Sequence, residues 1–249
     1  MRVLSHRLLQ DNGRPVRFME TPNKSGVITP KYLVIHYTAG RSLDSTVAWF
    51  QNKQAKASAH LVIGRGGEIV QMAAFNRKTW HAGRSSWDGV DGLNAHSIGI
   101  ELDNRGDGPF AAAMMDALEG LLGGILDRWA IAPDRVIGHA CMAPGRKMDP
   151  GPRFDWRRLA RAGLAVWPTG GTDPAPGRAR DPAALLAAFT ADALRFGYPS
   201  AAPDVLLRVV RDRFRPWVHG AHGALDAQDV AIMADLARRF PVDRPDPTA

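Results

Sequence analysis

Between Phe110 and Trp129 the large apolar residues Phe110, Met114, Leu118, Leu121, Leu122, Ile125 and Trp129 recur at spacings of three and four. That period puts them on one face of a helix and predicts a helix from about Ala111 to Trp129. Such a stripe has to be buried against something apolar. The runs around it that can form the other side read as strands: Lys31–Thr38, Ser58–Ile63, the EIVQM segment after Gly64, Gly66 and Gly67, Ser97–Leu102, and Arg135–Ile137. They are short, rich in β-branched and aromatic residues, and bounded by Gly or Pro. Ser42 is placed to cap a helix through Val47 and Phe50, and Asp155 to cap another from Trp156. Strands alternating with helices predict an α/β (α+β) fold, with a central mixed β-sheet flanked by helices.

The composition changes after residue 168. The stretch WPTGGTDPAPGRARD, Trp167 to Asp181, is dominated by Pro and Gly and reads as a linker. The expected division is a catalytic domain over 1–168, a linker over 169–181 and a helical domain over 182–249. Three apolar stripes mark the helices of that last part: Leu185, Leu186 and Phe189; Val205, Leu206, Val209, Val210 and Phe214; and Val230, Met233, Leu236 and Phe240. A three-helix bundle this small sits near the lower limit for folding alone.

The 249 residues carry a net charge of +7 and a pI near 10.1. A basic chain favours polyanionic partners. From Arg180 onward nine Arg face nine Asp, so the whole excess lies in the first 179 residues. There the basic residues are scattered rather than blocked, which reads as a solvated basic surface and not as a nucleic-acid site. Cys141 is the one cysteine, so no internal disulfide forms. The first residues lack the apolar core of a signal peptide, and no run is long enough to span a membrane. On this reading the chain is expected to be soluble and cytoplasmic, with another export route open.

Chemistry enters with the histidines. Of eight, most read as hydrogen-bonded structural residues. His36 follows Val34 and Ile35 near the end of an apolar strand. His139 likewise follows Val136 and Ile137 and opens a Pro/Gly loop that also contains Asp149. Two imidazoles and a carboxylate suit Zn²⁺, which in catalytic sites keeps three protein ligands and one open position. The chain has no H-E-x-x-H helix, so a metalloprotease site of that kind is excluded.

The strings YLVIHYTAG, SAHLVIG, WHAG, SIGIELDN and GHACMAPGRKMDPGPRFDW, in this order, resemble the type 2 N-acetylmuramoyl-L-alanine amidases. These are related to phage lysozyme-type amidases and peptidoglycan recognition proteins. The resemblance covers roughly residues 30 to 157. It implies a zinc cleft on one side of the sheet, one Zn²⁺ per chain, and His36, His139 and Asp149 as its ligands. It also implies Glu101 as acid/base and Lys147 as the cation that stabilises the transition state. His60, Trp80, His81 and Asn94 are expected to line the substrate cleft. The implied substrate is peptidoglycan or soluble muropeptides, cut between N-acetylmuramic acid and L-alanine. A non-catalytic binding protein on the same fold, or a zinc peptidase acting within the stem peptide, are the alternatives. Ala140, Cys141 and Met142 stand where the family loop is more polar. Cys141 is read as a small apolar residue rather than a ligand. Residues 182–249 resemble a three-helix peptidoglycan-binding module.

Overall fold

A computed structural model describes residues 1–169, 181–219 and 223–242. Its centre is a six-stranded sheet in the order Val136–Gly138, Tyr32–Tyr37, Ser97–Leu102, Leu61–Ile63, Ile69–Gln71, Arg17–Phe18. Leu61–Ile63 pairs antiparallel with Ile69–Gln71, and every other pair is parallel. The sheet is therefore mixed, as expected. The strands read from their apolar runs all form, and Ser97–Leu102 has the expected bounds. The expected strand at Ser58 begins only at Leu61. His60 still joins both neighbours, its N–H donating to the Gly99 carbonyl and its own carbonyl accepting from Met72.

The register of the two central strands sorts their side chains. Ser97, Gly99 and Glu101 pair with Tyr32, Val34 and His36. Successive strand residues point to opposite faces, so these six share one face. Leu33, Ile35, Ile98, Ile100 and Leu102 occupy the other and pack in one apolar cluster with Met114, Leu118, Leu121, Leu122 and Ile125. Those last five belong to the long helix Ala112–Trp129, and all five are fully buried. The helix stops where Ala130 turns left-handed at φ 50°.

The remaining helices are Leu43–Gln51, the single turn His139–Met142, Trp156–Arg161, Pro182–Phe196, Pro203–Phe214 and Ala227–Arg239. The turn at His139 lies in a segment expected to be loop. The last three helices bring Phe189, Phe196, Leu206, Val210, Phe214, Met233 and Leu236 into one cluster with Val34, Ile137, Ala140, Cys141 and Met142. Their stripes thus face the sheet as well as one another. Arg213 is 2% exposed between the two parts. It donates to the Val136 carbonyl at 3.0 Å, and its guanidinium lies 4.5 Å from the Trp156 ring centre. Of the expected linker, residues 170–180 fall outside the described residues.

Short strands with no readable period complete the fold: Arg2–Leu4 with Arg7–Leu9, Lys24–Val27 with Arg77–Thr79, and Ser86–Trp87 with Val90–Asp91. No helix among the described residues is long and apolar enough to cross a membrane.

Candidate metal centre and catalytic cleft

Two adjacent strands and one loop build the site. His36 and Glu101 are direct register partners, about 4.8 Å apart across the pair and on the same face. His139 opens the one-turn helix where the strand Val136–Gly138 ends. The loop that follows is pinned at its far end, where the Ala140 N–H donates to the Asp149 carbonyl at 2.8 Å. Gly138 is needed for that closure, because a Cβ there would lie 2.7 Å from Pro150 Cδ. The sequence thus brings residues 36, 139 and 149 to one point.

His36 Nδ1 is 2.9 Å from His139 Nδ1 and 2.9 Å from Asp149 Oδ2. His139 Nδ1 is 3.0 Å from the same oxygen. Ligand atoms in a tetrahedron with zinc bond lengths are about 3.3 Å apart, so the triangle is close to what the ion needs. Among the described residues this is the group of His, Cys, Asp and Glu fit to hold a metal. Burial holds the His36 imidazole down at about 4, with the neighbouring His139 adding to the effect. The ring is therefore neutral at pH 7, with a lone pair to donate. Burial pushes the Asp149 carboxyl up, but its close contacts with His139 and His36 outweigh it and leave the group well below the usual carboxylate range. Two imidazole nitrogens and one anionic oxygen fit Zn²⁺.

Glu101 stands beside this triangle. Its Oε2 is buried and has no hydrogen-bond partner. Burial raises the carboxyl to about 8, helped by the Asp149 charge and opposed by Lys147. An unpartnered buried carboxyl oxygen facing a cleft makes Glu101 a candidate functional residue. The cleft encloses about 630 Å³ and is bordered by His36, Glu101, His139, Lys147 and Asp149 together. All five residues expected as ligands or catalytic groups therefore converge.

The four expected substrate residues divide. Trp80 and His81 line the cleft. His60 and Asn94 are not among the residues that border it. His60 is fully buried, its Nδ1 accepting from the Thr79 hydroxyl and the Gly99 N–H and its Nε2 donating to the Arg77 carbonyl. Asn94 spends its Oδ1 on the backbone N–H groups of His81 and Ala82, at 3.0 and 2.7 Å. Sequence reading missed Trp49 and Met148, which border the cleft and are 55% and 66% exposed. Trp49 had a signal, an aromatic off the apolar face of its helix; Met148, next to the Asp149 ligand position, had none. Cys141 is buried, 3.8 Å from the Tyr198 hydroxyl and 3.6 Å from Arg213, apart from the metal triangle.

The family model described as N-acetylmuramoyl-L-alanine amidase matches residues 26–152. The N-acetylmuramoyl-L-alanine amidase AmiD of Escherichia coli is 36% identical over 241 residues, covering 86% of this chain and 84% of that protein. The 1,6-anhydro-N-acetylmuramyl-L-alanine amidase AmpD of Haemophilus influenzae is 42% identical over 106 residues, 42% of this chain and 58% of that one. Among solved structures, E. coli AmiD in complex with the substrate anhydro-N-acetylmuramic acid-L-Ala-D-γ-Glu-L-Lys superposes with a TM-score of 0.74 at 32% identity. It covers 93% of this chain and 97% of its own. AmpDh3 from Pseudomonas aeruginosa gives 0.72 at 31% identity, over 86% and 94%.

Proposed function

Since this chain belongs to the N-acetylmuramoyl-L-alanine amidase family, we propose that it hydrolyses the amide between N-acetylmuramic acid and L-alanine in a zinc-dependent reaction. The observation that carries this is the pairing of a three-atom ligand triangle with an unpartnered buried glutamate in one cleft. His36, His139 and Asp149 would hold the ion. Zn²⁺ in that position supplies Lewis acidity, polarising the scissile carbonyl and making water acidic enough to lose a proton near neutral pH.

The chain's own groups carry the rest. A cation held beside it would favour the ionised form of Glu101, whose unpartnered Oε2 is then free to take the proton of the attacking water as the new C–O bond forms. The same carboxyl then returns the proton to the alanine nitrogen as the C–N bond breaks, giving a muramic carboxylate and a peptide with a free N-terminal alanine. Lys147, on the loop between the ligands, offers its ammonium to the oxyanion of the tetrahedral intermediate. Muropeptides carry free carboxylates, which suits a basic first part. A cleft of about 630 Å³ falls in the usual range for small-molecule sites. The same reading makes residues 182–249 a wall-contacting part, with Trp217, 63% exposed, as an available aromatic.

Mass spectrometry of products from intact sacculi and from soluble anhydro-muropeptides tests this, with and without a chelator. Intact stem peptides with N-terminal alanine, lost on chelation, are expected. Cuts inside the stem peptide, or cleavage indifferent to chelation, overturn it.

A further inference from the structure

Both histidines of the ligand triangle present Nδ1. A nitrogen that donates a lone pair to a cation carries no proton, so each ring must keep its proton on Nε2. What faces those two Nε2 atoms decides whether the triangle is ready for an ion.

His139 Nε2 lies 3.1 Å from the Ala82 carbonyl oxygen. A carbonyl can only accept, so the proton stays on Nε2. His36 Nε2 lies 3.0 Å from His81 Nδ1. For His36 to donate there, His81 must hold its own proton on Nε2. That atom is 3.3 Å from the Ser97 hydroxyl, which donates to the Leu93 carbonyl at 2.5 Å and so keeps a lone pair for His81. With the His36 proton on Nε2, the four groups line up in one consistent direction of donation, which leaves Nδ1 of His36 free for an ion.

The neighbours of His81 hold it there. Ser97, Gly99 and Glu101 lie on one face of their strand. Gly99 leaves the room the ring occupies, since a Cβ at that position would sit 2.4 Å from His81 Cγ. Asn94 Oδ1 accepts from the N–H groups of both His81 and Ala82. One side-chain oxygen thus fixes the dipeptide whose ring serves one histidine and whose carbonyl serves the other.

We propose that His81 is a positioning residue, clamped by Asn94 and Ser97, which together with the Ala82 carbonyl holds His36 and His139 in the metal-ready tautomer. This rests on the metal-centre reading above. It assigns His81 and the Ala82 carbonyl to the ion rather than to the substrate, although His81 borders the cleft.

The test is zinc affinity by competition with a chromophoric chelator, on wild type, His81→Ala, His81→Asn, Asn94→Leu and Asn94→Asp. Far-UV circular dichroism and thermal unfolding of the metal-free proteins report folding. His81→Ala and Asn94→Leu are expected to lose about 10–100-fold in affinity, the usual cost of removing a partner of a metal ligand. His81→Asn keeps an acceptor near the position of Nδ1, and Asn94→Asp keeps the oxygen that binds both amides; both are expected to recover most of the affinity. The KM for a muropeptide at saturating zinc is expected to stay put. Wild-type zinc affinity in folded His81→Ala, with a raised KM, overturns the proposal and makes His81 a substrate contact. Failure of the wild type to bind zinc overturns the metal-centre reading itself.

Discussion

Replacing His60 by Asn should flatten the pH dependence of stability by one proton. Burial holds the folded His60 imidazole at about 4, against an ordinary value of 6.5. Below pH 6.5 the unfolded chain therefore takes up a proton that the folded chain refuses until pH falls near 4. Stability must fall across that window as pH drops, and the slope approaches about 1.4 kcal/mol per pH unit for one group. Integrated from pH 7 to pH 5, His60 alone removes about 2 kcal/mol. His81 is shifted down as well, chiefly by burial, so the wild-type slope exceeds one proton and the difference between the two proteins isolates His60. Asn suits the substitution because its Oδ1 can accept from Thr79 and Gly99 as Nδ1 does, and it does not titrate. The lost donor to the Arg77 carbonyl costs about 1–3 kcal/mol at every pH, which lowers the curve without tilting it. Urea unfolding of the metal-free proteins from pH 7.5 to 4.5 reads the slope. Equal slopes in the two proteins would refute a neutral buried His60. A raised KM with unchanged slope would return it to the substrate cleft.

Four further outcomes follow from the same geometry. His36→Ala and Asp149→Ala should each lose bound zinc, measured by elemental analysis after dialysis, and with it muropeptide hydrolysis, while circular dichroism stays native. Glu101→Gln should retain zinc and substrate but turn over at least about a hundredfold slower, the lower range for general acid–base catalysis; a product assay showing normal turnover removes Glu101 from its role. Lys147→Met should cost about 10²–10³ in kcat if its ammonium meets the oxyanion, and a rate within error of wild type excludes that contact. Arg213→Ala should destabilise by about 2–4 kcal/mol in urea, through a cavity and an orphaned Val136 carbonyl. Arg213→Met should cost clearly less, because a buried cation exchanged for apolar volume is often near neutral.

The sequence was most legible where one physical rule dominated. The helix through Leu118 and Leu122 was placed within one residue because a buried stripe admits a single period. Strands such as Ser97–Leu102 were found because their apolar runs have no other use in a short segment. The proposed ligand set could be read because His36 lies near the end of one such strand and His139 just after another. Side-chain direction could not. His60 and Asn94 were expected in the substrate cleft, yet their atoms turn to Arg77 and to the His81 and Ala82 N–H groups, which only the fold can reveal. Residues 1–30 gave no period, since their strands are two to four residues long. Their anchors are long-range bonds, such as Leu8 N–H to the Gln71 side chain.

The apolar departure at Ala140, Cys141 and Met142 links these two levels. In sequence it sets the residues after His139 apart from the more polar family loop. In the fold His139 opens the one-turn helix that those three residues complete, and they are buried with Phe189, Leu206 and Phe214 of the last helices. The same loop meets that part again at Gly145, where a Cβ would lie 3.2 Å from Val205 Cγ1. His139 is thus oriented from two sides. Its Nε2 is held by the Ala82 carbonyl, and its backbone is held by apolar contact with helices more than forty residues downstream. A polar loop serves a ligand helix that faces water. Here the C-terminal helices cover that face, so apolar side chains are what the position requires. The residues that depart from the family loop are the packing surface through which the second half of the chain holds the helical turn of His139.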